Sequence, residues 1–287
     1  VPEAENNPQA LTTTMTRTLD ALKGHYALIT GGSEGLGREF AGQLAARGLH
    51  LVLVARDEIK LRAAADELQN KYAVKVVVVP ADLSLAEEVR KMKATVDALG
   101  VRVRVLVNNA GCGGWGAFAE RPPHTSMQII DVNVKAPVLL AQMFFDHLRE
   151  SRGYVINVAS VAALQPIPYM AVYAASKSFL ANFGIALWEE WRTEGIHVQT
   201  LMPGAVRTAF DEKAGGFVAP FARAPVSEVV QRSLLNLMNP RRPLVYFRGS
   251  LAQRFFARVL PTKMLVKEVA KVFRPKSAGP AKSKPRV

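Results

Sequence analysis

Thr30-Gly31-Gly32-Ser33-Glu34-Gly35-Leu36-Gly37, TGGSEGLG, places four glycines in eight residues. It follows the apolar run HYALIT (25–30) and opens GREFAGQLAARG (37–48), whose apolar residues recur at helical spacing. A strand therefore enters the glycines and a helix leaves them. In that geometry the turn's backbone amides and the positive end of the helix face one point beyond the strand's carboxyl end. An anion fits there, and a dinucleotide pyrophosphate is the leading candidate. The spacing Gly31-x3-Gly35-x-Gly37 differs from the commoner G-x-G-x-x-G fingerprint, so on its own the stretch also reads as a tight strand-to-helix turn.

The rest of the chain repeats the pattern. LHLVLV, VKVVVV, VRVLV, YVINVAS, HVQTLM and PLVYF are further strand candidates. Between them EIKLRAAADELQNKY, AEEVRKMKATVDALG and the runs near 125–150 and 170–194 have helical spacing. Seven strands alternating with helices predict a doubly wound parallel sheet, an α/β Rossmann fold in a single domain over 21–250. Residues 1–20 are expected to be a flexible segment, and 251–287 a basic amphipathic extension with a disordered end. Between Pro203 and Val226 the periodicity fails, and a long connection after a late strand lies at the edge where ligands bind. That stretch is a candidate substrate lid.

Nearly half of the 287 residues are apolar, ample for one buried core. The single cysteine, Cys112, excludes an intrachain disulfide and suits a reducing compartment, so a cytoplasmic location is expected. The five histidines are scattered, and no metal site is expected. No apolar run approaches the roughly 20 residues that span a bilayer, and the first residues lack the pattern of a secretory signal. The chain begins with Val1, and Met15 is a candidate natural start. Of the net charge of +13, residues 241–287 carry +12, with 13 Lys or Arg against Glu268. The body is nearly neutral, so nucleic-acid binding is not expected of it and the charge belongs to the tail.

The second strand candidate ends at Ala55 and is followed by Arg56, where NAD-preferring sites carry an acid for the ribose hydroxyl. A guanidinium there can pair with a 2′-phosphate, which favours NADP(H); Asp57 reads as the cap of the next helix. YAASK sets Tyr173 and Lys177 four residues apart on one helical face, with Ser160 thirteen residues before the tyrosine. A phenol with an ordinary pKa near 10 transfers protons poorly at neutral pH. A neighbouring ammonium is expected to lower it, while Ser160 can hold a carbonyl by hydrogen bond.

With these residues in view the sequence resembles the short-chain dehydrogenase/reductase family in its one-domain form, over roughly residues 22–210. Thr30-Gly31 with Ser33, Glu34, Gly35, Leu36 and Gly37 resembles the family's TGxxxGxG cofactor turn. Asp82-Leu83 resembles its adenine-contacting pair, Asn108-Asn109-Ala110-Gly111 its NNAG segment, and Pro203-Gly204 with Val206 and Thr208 the segment that meets the nicotinamide. Asn133, Ser160, Tyr173 and Lys177 match its catalytic tetrad. The resemblance implies that Tyr173 exchanges a proton with the substrate oxygen and Ser160 orients the carbonyl. It further implies that Lys177 lowers the tyrosine pKa and bonds the nicotinamide ribose, that Asn133 holds a relay water, and that the enzyme is a homodimer or homotetramer through the helices near 125–150 and 170–194.

The tail SLAQRFFARVLPTKMLVKEVAKVFRPKSAGPAKSKPRV combines apolar residues at helical spacing with cations, and Pro261 is expected to divide two short helices. Such a segment suits a peripheral membrane contact or an acidic partner; alternatively its apolar face packs on the enzyme. A similar tail occurs in family members that reduce 3-oxoacyl chains or steroid ketones. Trp115, Phe210, Phe217 and Phe221 point to an apolar carbonyl or alcohol substrate. The rival reading is a catalytically silent dinucleotide sensor or a nucleic-acid-binding protein working through the tail.

Overall fold

The computed structural model describes residues 21–216, 222–237, 239, 242–246, 255 and 257–275. All seven apolar runs are strands: β1 (Tyr26–Thr30), β2 (His50–Ala55), β3 (Val76–Pro80), β4 (Val103–Asn108), β5 (Tyr154–Val158), β6 (His197–Met202) and β7 (Leu244–Tyr246). They form one parallel sheet in the order β3-β2-β1-β4-β5-β6-β7. Side chains that alternate along each strand feed two separate cores. Ala27, Ile29, Leu51 and Leu53 enter one, and Leu28, Val52 and Val54 the other. Burial on both faces is why the strands read as unbroken Val and Leu runs rather than alternating ones.

The first face is covered by α1 (Gly35–Ala45), α2 (Glu58–Tyr72) and α9 (Val226–Leu237), through Phe40, Leu44, Leu61, Leu68, Val230 and Leu234. The second is covered by α3 (Ala86–Ala98), α5 (Ala136–Met143) and α7 (Ala171–Glu190), through Val89, Met92, Leu140 and Leu187. Each such side chain removed from water is worth about 1.5–3 kcal/mol. The chain lays β2 and β3 to one side of β1 and then returns to lay β4 on the other. The crevice at that reversal, outside the carboxyl ends of β1 and β4, is where ligands bind in this architecture.

The run near 125–150 departs from the expected single helix. It is α4 (Pro123–Ile130), a π-helical turn (Asp131–Lys135), α5, and α6 (Phe145–Glu150). Pro137 sits in the first turn of α5 and has no N–H to donate to the carbonyl of residue 133, four back, so the regular ladder cannot run through this point. The widened turn centres on the fully buried Asn133. The candidate lid contains α8 (Phe210–Lys213) and a bridge from Val206 to Ala224; Phe217 and Phe221 lie outside the described residues. In the tail, α10 (Thr262–Phe273) starts after Pro261, and residues 257–259 before it are helical, so the proline divides helices as expected.

Candidate active site

Thr30 and the NNAG segment lace the switch point together. The Thr30 hydroxyl donates to the Val107 carbonyl (3.1 Å) and accepts from the amides of Asn109 (3.0 Å) and Ala110 (2.9 Å). The Asn109 amide donates to the Thr30 carbonyl at 2.8 Å. One rung further on, Asn108 Nδ2 donates to Asn157 Oδ1 at 2.9 Å, tying β4 to β5 at the same height.

The glycines serve this packing as well as any ligand. Gly31 is left-handed, φ +66°, and a Cβ there would lie 2.8 Å from Asn109 Nδ2. A Cβ on Gly37 would lie 2.1 Å from the Gly31 carbonyl oxygen, so α1 approaches β1 only because residue 37 has none. The Leu36 side chain packs against the core, leaving only its backbone to the crevice. Glu34, at the N-cap of α1, makes no side-chain capping bond. It pairs instead with Lys213 of α8. The first-turn amides are thus left without a side-chain acceptor, and an anion is their natural partner.

The four tetrad residues converge beside this turn. Lys177 and Tyr173 share the inner face of α7, with the ammonium 6.0 Å from the phenol ring centroid. Lys177 Nζ donates to the Val158 carbonyl at 2.8 Å, and Ser160, two residues beyond, bonds the Tyr173 phenol. A Cβ on Gly111 would meet Lys177 Nζ at 3.2 Å and Asn133 Oδ1 at 3.3 Å, so the NNAG glycine admits both groups to one space. Asn133 spends its carboxamide on structure. Nδ2 donates to the Cys112 carbonyl and to Ser176 Oγ, both at 2.9 Å, and Oδ1 accepts from the Cys112 amide at 2.9 Å. Both side-chain donors are thus engaged by protein groups. The group without an i+4 partner is the main-chain carbonyl of Asn133, facing the proline gap.

The expected lowering of the tyrosine pKa is corrected. Burial pushes the Tyr173 phenol up to about 12, against the lowering influence of the Ser160 hydrogen bond. Burial likewise lowers Lys177 to about 8. Each charged form is disfavoured because it would lose its hydration, and the 6.0 Å between ammonium and ring leaves the pair too loosely coupled to offset that cost.

Leu265 and Val269 of α10 are buried in one cluster with Ala162, Ile167, Met170 and Tyr173, joined by Trp115, Phe210, Leu260 and Phe273. Trp115 Nε1 donates to the Phe273 carbonyl at 2.8 Å, and the Phe210 ring lies 5.6 Å from that of Tyr173. The apolar face of the tail thus joins the core cluster that holds Tyr173, a partner that periodicity alone did not reveal. Ser176 was also missed, although its place three residues after Tyr173 puts it on the same face.

Other expected contact residues line the crevice at a distance from the tetrad. Arg56 stands beyond β2 with 64% of its side chain exposed, 4.0 Å from Asp82 Oδ2. Asp57 accepts from the Lys60 amide at 3.0 Å and caps α2 as expected, so its carboxylate is engaged away from a ribose. Asp82 Oδ1 accepts from the amide and hydroxyl of Ser84, and Leu83 is buried. Opposite the glycine turn, the Pro203 carbonyl accepts from the Val161 amide, a Cβ on Gly204 would meet nothing within 4 Å, and Thr208 Cγ2 would lie 3.4 Å from a Cβ on Gly35. The segments expected to meet the two ends of a dinucleotide therefore flank one crevice.

Known proteins are similar to this chain in sequence and in fold. A mouse very-long-chain 3-oxoacyl-CoA reductase is 32% identical over 190 residues, 64% of this chain and 60% of that protein. The corresponding reductase of Scheffersomyces stipitis is 35% identical over 213 residues, 70% and 61% of the two chains. The chain thus spans about three fifths of the length of these relatives. Among solved structures, a short-chain dehydrogenase of Sphingobium yanoikuyae in complex with NADPH superposes with a TM-score of 0.74 at 28% identity, covering 91% of this chain and 100% of that one. L-sorbose reductase of Gluconobacter frateurii, complexed with NADPH and L-sorbose, gives 0.71 at 28% identity, covering 79% and 96%. The short chain dehydrogenase family model matches residues 25–216, from the first residue before β1 through the lid helix, and the chain belongs to that family.

Proposed function

We propose that the protein is an NADP(H)-dependent ketoreductase or alcohol dehydrogenase acting on the carbonyl or hydroxyl carbon of an apolar substrate, such as a 3-oxoacyl chain, a polyketide or a steroid ketone. The observation that carries this reading is the convergence of Tyr173, Ser160 and Lys177 beside Gly111 at the switch point. The crevice fits a dinucleotide. Left-handed Gly31, the uncapped N-terminus of α1 and the open face of Gly204 make room for phosphates and ribose, and exposed Arg56 suits a 2′-phosphate while Asp57 is spent on its helix. The NADPH named in the two structures above supports the same choice.

When bound, the nicotinamide supplies or accepts the hydride. The remaining work falls to the chain. Tyr173, held protonated by burial, gives its proton to the carbonyl oxygen, and the Ser160 hydroxyl orients that oxygen. Lys177, held by the Val158 carbonyl and close to Gly111, would bond a ribose hydroxyl of the cofactor. The main-chain carbonyl of Asn133 is the acceptor for a relay water. Trp115, Phe210 and the α10 roof favour an apolar substrate over a sugar.

We further infer a cytoplasmic enzyme, in keeping with a free thiol at Cys112, and a homodimer or homotetramer. Exposed Met127 and Ile130 on α4 and Phe179 on α7, the last stacked on Phe183 at 5.7 Å, support assembly through those helices. The deciding experiment follows NADPH oxidation, with NADH in parallel, against ketones, 3-oxoacyl thioesters and steroids. Turnover with one class, weak with NADH and lost in Tyr173→Phe while NADPH still binds, is the expected result. NADPH binding with no turnover across the panel would overturn it in favour of a silent sensor.

A further inference from the structure

We propose that the outer face of α10, with the residues just before it, is a docking surface for an anionic lipid bilayer, and that the roof of the substrate pocket is therefore the membrane-facing side of the enzyme. The consequence for substrate delivery rests on the oxidoreductase reading above; the docking surface itself does not.

The inner face of α10 is fully engaged, with Leu265 and Val269 buried over Tyr173. Its outer face is not the purely polar surface that a packed amphipathic helix ordinarily shows to water. Lys263, Lys267 and Lys271 recur every four residues and form one exposed line. Beside it runs a second line, Met264, Glu268 and Val272, in which Met264 is 57% and Val272 42% exposed. Glu268 is the one acid, and it is neutralised by Lys271 at 2.6 Å. Just upstream, Phe255 and Val259 are 61% and 62% exposed on either side of Arg258. Val259, Met264 and Val272 thus stay substantially exposed among the cations Arg258, Lys263, Lys267 and Arg274 and the Lys271–Glu268 pair.

An acidic polypeptide would answer the cations and leave Phe255, Val259, Met264 and Val272 in water. A second copy docked by the same face would set cation against cation. An anionic bilayer answers both features, because headgroups pair with the lysines while the apolar side chains enter the acyl boundary. Among the described residues no helix is long and apolar enough to cross a membrane, so α10 would lie in the interface. In that pose the buried cluster that holds Tyr173, Leu265 and Val269 lies on the bilayer side of the enzyme, where a lipophilic ketone would be concentrated.

The test is co-sedimentation of the full chain with vesicles of phosphatidylcholine alone and of phosphatidylcholine with phosphatidylglycerol, at low and high salt. Binding to the anionic vesicles, released by salt, is expected. The triple variant Lys263→Glu, Lys267→Glu, Lys271→Glu should bind them on the order of a hundredfold more weakly. Phe255→Ser with Met264→Ser should weaken the binding that survives in high salt, and NADPH binding by each variant reports that it is folded. No vesicle binding, equal binding to neutral and anionic vesicles, or capture only on polyglutamate would overturn the proposal. A chain that binds anionic vesicles but neither binds NADPH nor turns over a water-soluble ketone would overturn the oxidoreductase reading and leave the docking surface standing.

Discussion

Tyr173 and Lys177 lie on one face of α7, as their four-residue spacing requires, yet burial drives their proton affinities in opposite directions. The phenol at about 12 stays an acid throughout the neutral range, which suits protonation of a carbonyl. Lys177 at about 8 loses its charge as pH rises through that value. Ketone reduction is therefore expected to be flat below pH about 7 and to fall above about 8. A kcat/KM profile checks this, and an ultraviolet titration of wild type against Tyr173→Phe should find no Tyr173 phenolate at the ordinary value of 10. A profile that rises through pH 8 would assign the limiting group elsewhere. At this scale the identities and spacing of Ser160, Tyr173 and Lys177 were legible in the sequence. The sign of the tyrosine shift was not, because it depends on how deeply the ring is buried, and its cluster gathers residues 115, 162–174, 210 and 265–273.

Strand, turn and helix were read from local periodicity, and each of the seven strands was found within two or three residues of its expected ends. Gly37 shows what local reading left out. A Cβ there meets a backbone oxygen at 2.1 Å, and no rotamer relieves that contact. Gly37→Ala is expected to cost about 1–3 kcal/mol, measured as a lowered urea midpoint, whether or not a dinucleotide is present. A second prediction belongs to α10. Leu265→Asp with Val269→Asp should lift the helix from the pocket, raise amide exchange over 262–273 and return the Tyr173 titration from about 12 toward 10. An unchanged titration would mean that the roof contributes nothing to desolvating the phenol. The amphipathic pattern of the tail was visible in the sequence. What its apolar face covers was not, since periodicity gives a face without its partner.

For the molecule as a whole, acid stability should reflect His197 at the start of β6. Burial lowers its imidazole to about 4 from the ordinary 6.5, and Nε2 is buried without a hydrogen-bond partner among the described residues. Between those pH values the unfolded chain takes up a proton that the folded chain refuses, so stability rises with pH across the window and is lost as pH falls from 6.5 toward 4. The loss amounts to about 3 kcal/mol at most. His197→Gln should flatten this limb in urea unfolding followed from pH 7 to pH 4, and an unchanged limb would assign it to carboxylates. By itself the sequence determined the alternation of strands and helices, the glycine turn, the spacing of Ser160, Tyr173 and Lys177 and the location of the charge in the tail, because each is carried by residue type and short-range spacing. Only the tertiary structure decided that Gly37 yields to a carbonyl as well as a ligand, that the Asn133 carboxamide is spent on Cys112 and Ser176, and that the basic tail joins the core cluster that holds Tyr173. Gly37 and Gly31 are six residues apart, but the other contacts join segments tens of residues apart, and burial, which sets their energetics, exists only once the segments have met.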